Sequence, residues 1–153
     1  MSALKDQLRD DLNTALKARD ALRTSVIRMV LAAITNAEVA GKEARELTDE
    51  DVLTVLSSEA KKRRESATAF DEGDRPELAQ KERDEAQILA EYLPEPLTDE
   101  EIAAIVTETI EQTGAAGEGM KAMGKVMGAA TAKTKGRADG GVVAAEVRRQ
   151  LGA

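Results

Sequence analysis

Apolar residues recur at intervals of three and four along nearly the whole chain, and this spacing constrains the fold more than any other feature. The first such stripe consists of Leu4, Leu8, Leu12 and Leu16. A later one consists of Ile102, Ile105, Val106 and Ile110. This is the period of a helix with one buried face and not the two-residue alternation of a strand. Because only Phe70 and Tyr92 are aromatic, the core has to be built from aliphatic side chains and alanine, which favours closely packed helices. We therefore predict an all-α protein.

Capping residues indicate where several of these helices begin. A weak break in the apolar pattern near residues 18–20 separates the first two helices. Thr48 can cap the third helix, with Asp51 at the position where a capping box places an acidic or amide residue. Asp74 is predicted to cap the fourth helix, and Pro76 lies in its first turn, where the missing N–H has no consequence.

Two prolines divide the chain. Pro94 and Pro96 forbid continuous helix and force extended backbone on the residues before them. We place a domain boundary here, between an N-terminal helical domain at 1–93 and a C-terminal tail domain at 97–153. The expected architecture is an N-terminal four-helix unit, a proline hinge and a small C-terminal three-helix tail domain.

The tetrapeptide LTDE occurs on both sides of that boundary, at 47–50 and at 97–100. It fits an internal repeat, but the similarity fades after one turn. Thr98 can cap the helix that follows it just as Thr48 does. We therefore interpret the two copies as the same way of starting a helix.

The segment GMKAMGKVMG at 119–128 has the glycine and lysine spacing of a phosphate-binding P-loop. A P-loop needs Ser or Thr after the lysine to hold Mg²⁺, and it follows a strand. Here Val126 follows Lys125, and the preceding element is a helix. We interpret the segment as part of a sixth helix in which Gly124 and Gly128 let another backbone approach closely. Its predicted buried face consists of Met120, Met123, Met127 and Ala130.

The residue inventory excludes several chemistries. The chain has no Cys and no His, which removes thiol nucleophiles, imidazole acid–base catalysis and Cys/His zinc sites. The carboxylate pairs Glu82/Glu85 and Asp99/Glu100 are set aside as acid–base candidates because they lie on charge-rich helical faces. We identify no catalytic residue, metal site or cofactor. No segment has the apolar length of a membrane span, and a cytoplasmic location is expected.

Charge is distributed unevenly along the chain. The net charge is −7, yet residues 115–153 hold seven basic and three acidic residues. A basic end on an acidic body indicates an anionic partner. The scarcity of aromatic residues argues against sequence-specific binding of single strands by stacking. The candidate RNA-binding residues are Lys121, Lys125, Lys133, Lys135, Gly136, Arg137 and Arg148. The alternative is that these cations are solvated surface.

A second basic run, KKRRES at 61–66, is better explained without RNA. Its cations point to different sides of a helix. Glu59 can pair with Arg63, and Lys61 with Glu65, at a separation of four residues. We interpret the run as salt-bridge support within the acidic body.

Several blocks of the sequence together resemble the GatB/YqeY family. They are LRTSVIRMVLAAITNAE at 22–38, EAKKRRESATAF at 59–70, DRPELAQKERDEAQILAEYLPEPLTDEEI at 74–102, and MGKVMGAATAKTKGRADGG at 123–141. The last is the most specific, because MGKVM is followed closely by KGRADG. Gly128, Ala129 and Ala67 depart from the residues usual in the family.

The resemblance implies a YqeY-like protein, similar to the C-terminal helical and tail region of the B subunit of the aspartyl/glutamyl-tRNA amidotransferase. In that subunit the reaction takes place in a separate cradle domain, and the tail is associated with recognising tRNA. The resemblance implies a non-catalytic accessory module that binds tRNA, beside amidotransferase subunits or an aminoacyl-tRNA synthetase. The family label of a carbon–nitrogen ligase with glutamine as amido-N-donor implies an enzyme, and a helical bundle that binds proteins without RNA is a third interpretation.

Overall fold

The computed structural model describes residues 2–152, and within this range it contains seven α-helices and one short 3-10 helix. The N-terminal helices are α1 (Ala3–Ala18), α2 (Ala21–Val39), α3 (Asp49–Glu72) and α4 (Pro76–Ala90). The later elements are α5 (Asp99–Gln112), a 3-10 helix (Gly119–Ala122), α6 (Met123–Thr134) and α7 (Gly140–Gly152). No strand occurs in residues 2–152, so the all-α prediction is confirmed. No helix in this range is long and apolar enough to cross a membrane.

The chain divides into two compact units, the first ending at Leu93 and the second beginning at Pro94. The first unit contains α1 to α4. Its core consists of Leu8, Val26, Ile27, Val30, Ile34, Leu47, Val52, Leu56, Ala60, Ile88 and Leu89. Leu8 and Ile34 are completely buried, and burying a side chain of this size contributes about 2 kcal/mol relative to an exposed position.

The second unit contains α5, the 3-10 helix, α6 and α7, and α5 packs against both α6 and α7. Its core consists of smaller side chains than that of the first unit. They are Ile102, Val106, Ala115, Ala122, Val126, Ala130, Val143, Val147 and Leu151. This unit holds every candidate RNA-binding residue.

Most of the predicted caps are present. α2 starts after Arg19, which adopts a left-handed conformation, and Asp20 accepts a hydrogen bond from the Arg23 amide. Thr48 and Asp51 form a reciprocal capping box at the start of α3. Thr98 caps α5 by accepting from the Glu101 amide. These side chains satisfy amides that would otherwise lack a partner at each helix start.

The predicted cap at Asp74 is wrong. Arg75 precedes α4, and its side chain makes no capping hydrogen bond. The chain has only residues 73–75 in which to pass from α3 to α4, and Asp74 takes up the reversal with a φ of 58°. A residue in this left-handed conformation forms the turn itself and does not have the extended backbone of an N-cap.

The predicted face of the sixth helix is confirmed in part. Ala130 is buried, and Met123 and Met127 are partly buried and pack against the core, but Met120 is 49% exposed. The fully buried positions are Ala122, Val126, Ala130 and Thr134. Met120 lies in the 3-10 helix, whose three-residue period differs from that of α6, so it does not continue the face of that helix. A Cβ atom added at Gly124 or Gly128 would meet nothing within 4 Å. Neither glycine is therefore needed for a close backbone approach.

Candidate nucleic-acid interface

In the second unit, the acidic and the basic residues are concentrated on different helices. Residues 94–114, which include α5, contain six acidic and no basic residues. The seven basic residues lie between the 3-10 helix and the end of α7. The predicted basic tail thus belongs to a unit whose first helix, α5, is strongly acidic. An anionic ligand is attracted to the α6 and α7 side and repelled by α5.

Lys133 is an exposed residue whose ammonium group bonds to side chains of α5. Its Nζ donates to the Gln112 Oε1 at 2.5 Å and to the Thr109 Oγ1 at 3.1 Å. Thr109 is completely buried, so the ammonium lies against the α5–α6 packing surface. These bonds connect α6 to α5 and leave Lys133 less free to meet a ligand than its place in the basic tail suggests.

Arg137 holds the segment that follows the prolines. Its Nε donates to the Glu95 carbonyl at 3.2 Å, and its own carbonyl accepts from the Leu97 amide at 2.8 Å. Gly136 has a φ of 78°, a conformation that glycine adopts without strain. The turn between α6 and α7 therefore fixes residues 95–97 to the second unit. This gives Arg137 a structural role that the sequence alone did not indicate.

The start of α7 offers few free amides. Asp139 caps the helix, because its Oδ1 accepts from the Gly141 amide at 2.7 Å. The Asp139 carbonyl accepts from the amides of Val142 and Val143. A helix start with exposed amides beside Lys135 and Arg137 would suit a phosphate. A carboxylate occupies the position instead, which disfavours a second anion there.

Two further cations have carboxylate partners. Lys125 lies 3.3 Å from Glu118, and both side chains are about half exposed. Arg149 pairs with Glu146 at 2.6 Å one turn away. Hydrogen bonds from Arg149 and Gln150 lower the pKa of Glu146 to about 2. Exposed pairs of this kind are weak, so Lys125 can exchange Glu118 for a phosphate at little cost.

Three of the candidate cations are exposed, and their side chains have no hydrogen bond or ion pair within residues 2–152. They are Lys121, Lys135 and Arg148. Lys121 and Lys135 lie just beyond opposite ends of the twelve-residue helix α6, which is about 18 Å long. α7 follows α6 after a short turn and also packs on the 3-10 helix, so it runs back along α6. This direction places Arg148 towards the Lys121 end.

The basic run of the first unit is built into an ion network. Arg63 lies 3.5 Å from Glu59, 3.6 Å from Glu82 and 3.7 Å from Glu85. Lys61 pairs with Glu65 at 4.0 Å. The predicted pairs Glu59–Arg63 and Lys61–Glu65 are thus confirmed.

Glu82 and Glu85 belong to a charge-rich helical face, but the sequence did not show that Glu85 is buried. Glu85 is only 9% exposed, and both carboxylates point to Arg63 across the α3–α4 contact. The signal was present in the sequence, because Glu82 lies at helical spacing between the buried Ala79 and Ala86. Within residues 2–152 no group of acidic side chains has the arrangement of a metal site.

Comparison with known proteins gives one match over nearly the whole chain. A family model described as Yqey-like protein matches residues 5–151.

Three curated relatives illustrate the similarity. Altered inheritance of mitochondria protein 41 of Candida glabrata is 28% identical over 107 residues, covering 69% of this chain and 59% of that protein. The protein of the same name from Clavispora lusitaniae is 31% identical over 112 residues, covering 72% and 64%. The E-type subunit of the glutamyl-tRNA(Gln) amidotransferase of Thermococcus gammatolerans is 40% identical over 72 residues, covering 46% and 12%. The chain thus spans less than two thirds of each of these three relatives.

Proposed function

The chain belongs to the family of Yqey-like proteins, and on that premise we propose that it is a non-catalytic accessory module that binds tRNA. The observation that carries this proposal is the exposure of Lys121, Lys135 and Arg148 without partners in the described part of the chain. In a protein with a net charge of −7, cations left on one side of a small unit are available to an anionic ligand.

The relatives support the choice of tRNA among anionic ligands. One of them is named as a subunit of a glutamyl-tRNA(Gln) amidotransferase, and the similarity covers 12% of its length. We propose that this chain shares contact with tRNA and not the amidation reaction. The reaction would then be supplied by a partner, either amidotransferase subunits or an aminoacyl-tRNA synthetase.

The spacing of the free cations fits a folded RNA. Lys121 and Arg148 are placed towards one end of α6 and Lys135 lies beyond the other, and the helix between them is about 18 Å long. Two separated contacts to phosphates read the shape of a backbone and not the identity of a base. With three free cations, the logarithm of the binding constant should fall with the logarithm of salt concentration with a slope of about −2 to −3.

A titration with bulk tRNA tests the proposal. Wild-type protein is compared with Lys121→Glu/Arg148→Glu, which reverses two free cations of the second unit. The matched control is Lys42→Glu/Lys81→Glu, which makes the same charge change at exposed lysines of the first unit. An RNA duplex of similar length distinguishes binding of tRNA from binding of any RNA helix.

We expect the first variant to lose tRNA binding and the control to keep affinity within about threefold, since distant exposed charges are screened. Equal loss in both variants would mean that the chain attracts RNA only through its net charge. Absence of binding by the wild type at low salt would contradict the proposal and favour a helical bundle that binds proteins.

A further inference from the structure

A groove lies in the second unit between α5, the loop at 113–118 and the end of α7. It has a volume of about 450 Å³, within the range of sites that hold small ligands or a few side chains of a partner. We call it the α5–α7 groove. The RNA proposal makes no use of it, because none of the three free cations lines it.

The groove has an apolar floor and a polar rim. Ala115 and Leu151 are buried members of the core and close the base of the groove, while the partly buried Ile110 and the exposed Ala116 offer accessible apolar surface. Glu111 and Gln150 contribute polar groups to the lining. A floor of this kind contacts apolar side chains, and a rim with a carboxylate favours cations next to them.

The helix that forms one wall has charges that its own stability does not explain. α5 contains five acidic residues and no basic one, and none of its carboxylates has an ion pair among residues 2–152. Asp99, Glu100 and Glu101 lie in the first turn, where they favour the helix dipole. Glu108 and Glu111 lie in the last two turns, where the dipole favours a cation instead.

Among residues 2–152, no cation forms an ion pair with Glu108 or Glu111. Glu108 accepts a hydrogen bond of 2.8 Å from the Gln112 amide group, which is neutral. The nearby Lys133 bonds to Gln112 and Thr109 and not to either carboxylate. Glu111 lines the groove and Glu108 lies three residues before it on the same helix, so α5 keeps one exposed negative charge in the groove and one next to it.

We propose that the α5–α7 groove binds a short amphipathic segment of a partner protein that has apolar residues on one side and Lys or Arg beside them. The apolar part of the lining matches one side of such a segment, and the carboxylate of Glu111 in the lining, with that of Glu108 one helical turn earlier on α5, matches the other, as in other helix-in-groove contacts. RNA is repelled by the acidic wall. A second copy of this chain is disfavoured because its net charge is also −7.

A designed peptide tests the groove without RNA. The probe is a helical peptide with leucines on one face, lysines on the other and one tryptophan, whose fluorescence reports binding because the chain has no Trp. A second peptide has glutamate in place of lysine. The titration is done at about 0.1 M salt, where the Debye length of about 10 Å screens distant charges.

Two variants alter the groove in different ways, and a third variant is the control. Ala116→Phe fills the groove from an exposed position, and Glu108→Lys/Glu111→Lys reverses the wall. Asp10→Lys/Glu43→Lys makes the same charge change at exposed sites of the first unit. Circular dichroism confirms that each variant is folded, and the wall variant is expected to fold well because lysine suits the end of α5.

We expect saturable binding of the lysine peptide, about tenfold weaker in each groove variant, which corresponds to about 1.4 kcal/mol. The glutamate peptide should not bind, and the control should bind like the wild type. The proposal is overturned if the wild type shows no saturable binding, if Ala116→Phe binds normally, or if the control loses as much as the wall variant. It is also overturned if sedimentation shows a dimer of the chain that Ala116→Phe dissociates.

Discussion

The Nζ of Lys133 donates a hydrogen bond to the buried hydroxyl of Thr109 at 3.1 Å, and a second one to Gln112. A basic residue in the middle of the basic tail is thereby used to hold α6 on α5. Lys121, in the preceding 3-10 helix, is exposed and has no such bond in residues 2–152. The two lysines therefore separate a structural role of the tail from a binding role.

Replacing these two lysines by methionine should give opposite results. Lys133→Met should lower the free energy of unfolding by about 1 kcal/mol, because two hydrogen bonds to α5 are lost. Lys121→Met should leave stability within about 0.5 kcal/mol, as exposed substitutions do, and weaken tRNA binding more than Lys133→Met. Urea denaturation and a salt-controlled titration measure the two effects. A larger loss of affinity in Lys133→Met would reverse the assignment.

Tyr92 should make the stability of the first unit sensitive to alkaline pH. Burial and a hydrogen bond to Asp11 raise the pKa of Tyr92 well above its ordinary value of 10. A raised pKa in the folded state means that this contribution is complete below about pH 10 and decreases above it, where the unfolded chain releases the proton. Urea midpoints from about pH 8 to 11 should fall less steeply for Tyr92→Phe than for the wild type.

The titration of Tyr92 can also be followed directly, since it is the only tyrosine and the chain has no tryptophan. Ultraviolet absorbance of tyrosinate should appear at higher pH in the native chain than in urea. The Asp11→Asn variant should move the native titration towards the ordinary pKa. Coincident titrations in native and unfolded protein would show that Tyr92 is not held by Asp11 in solution.

The two threonine caps should differ in strength. Thr48 and Asp51 satisfy each other's amides, and Asp51 also bonds to Arg45. Glu101 lies at the same position after Thr98, but it accepts from the threonine hydroxyl and not from its amide. Asp51→Ala should therefore cost about 1 kcal/mol and Glu101→Ala less than half of that. Chemical denaturation of both variants measures this, and equal costs would show that the reciprocal bond adds nothing.

The stability of the first unit should depend on the charge balance between Arg63 and the carboxylates around it. Arg63→Met removes the one guanidinium that Glu59, Glu82 and Glu85 share, and it should cost about 2 to 3 kcal/mol. Adding Glu82→Gln/Glu85→Gln to that variant should recover much of the loss, because the uncompensated carboxylates are gone. A double-mutant cycle measures the coupling. Additive costs would mean that Arg63 acts through packing alone.

The start of a helix could be predicted from the sequence wherever the signal lies in a few neighbouring residues. Thr48, Thr98 and Asp139 bond to amides two or three residues away, so their caps follow from a few neighbouring residues. Asp74 has the composition of a cap but takes a left-handed turn, because the connection between α3 and α4 is short. Met120 was mistaken for part of the buried face because it lies in a 3-10 turn before α6, where the helical period does not hold.

The candidate site could be predicted only as a list of cations. Which of them are free depends on contacts far along the chain, such as Lys133 with Gln112 and Arg137 with Glu95. Nothing in the local sequence distinguishes Lys133 from Lys135. The partly buried position of Glu82, by contrast, follows from its spacing to Ala79 and Ala86, and attention to that stripe would have found it.

The salt dependence of tRNA binding tests the central claim most directly, because it counts the phosphates that the chain neutralises. Wild-type protein should give a slope of about −2 to −3 when the logarithm of the binding constant is plotted against that of salt concentration. Lys121→Ala/Arg148→Ala should reduce its magnitude by nearly two, while Lys133→Ala and the matched Lys42→Ala/Lys81→Ala should leave it unchanged. A slope that Lys121→Ala/Arg148→Ala does not change would contradict the assignment of the RNA contact to these free cations.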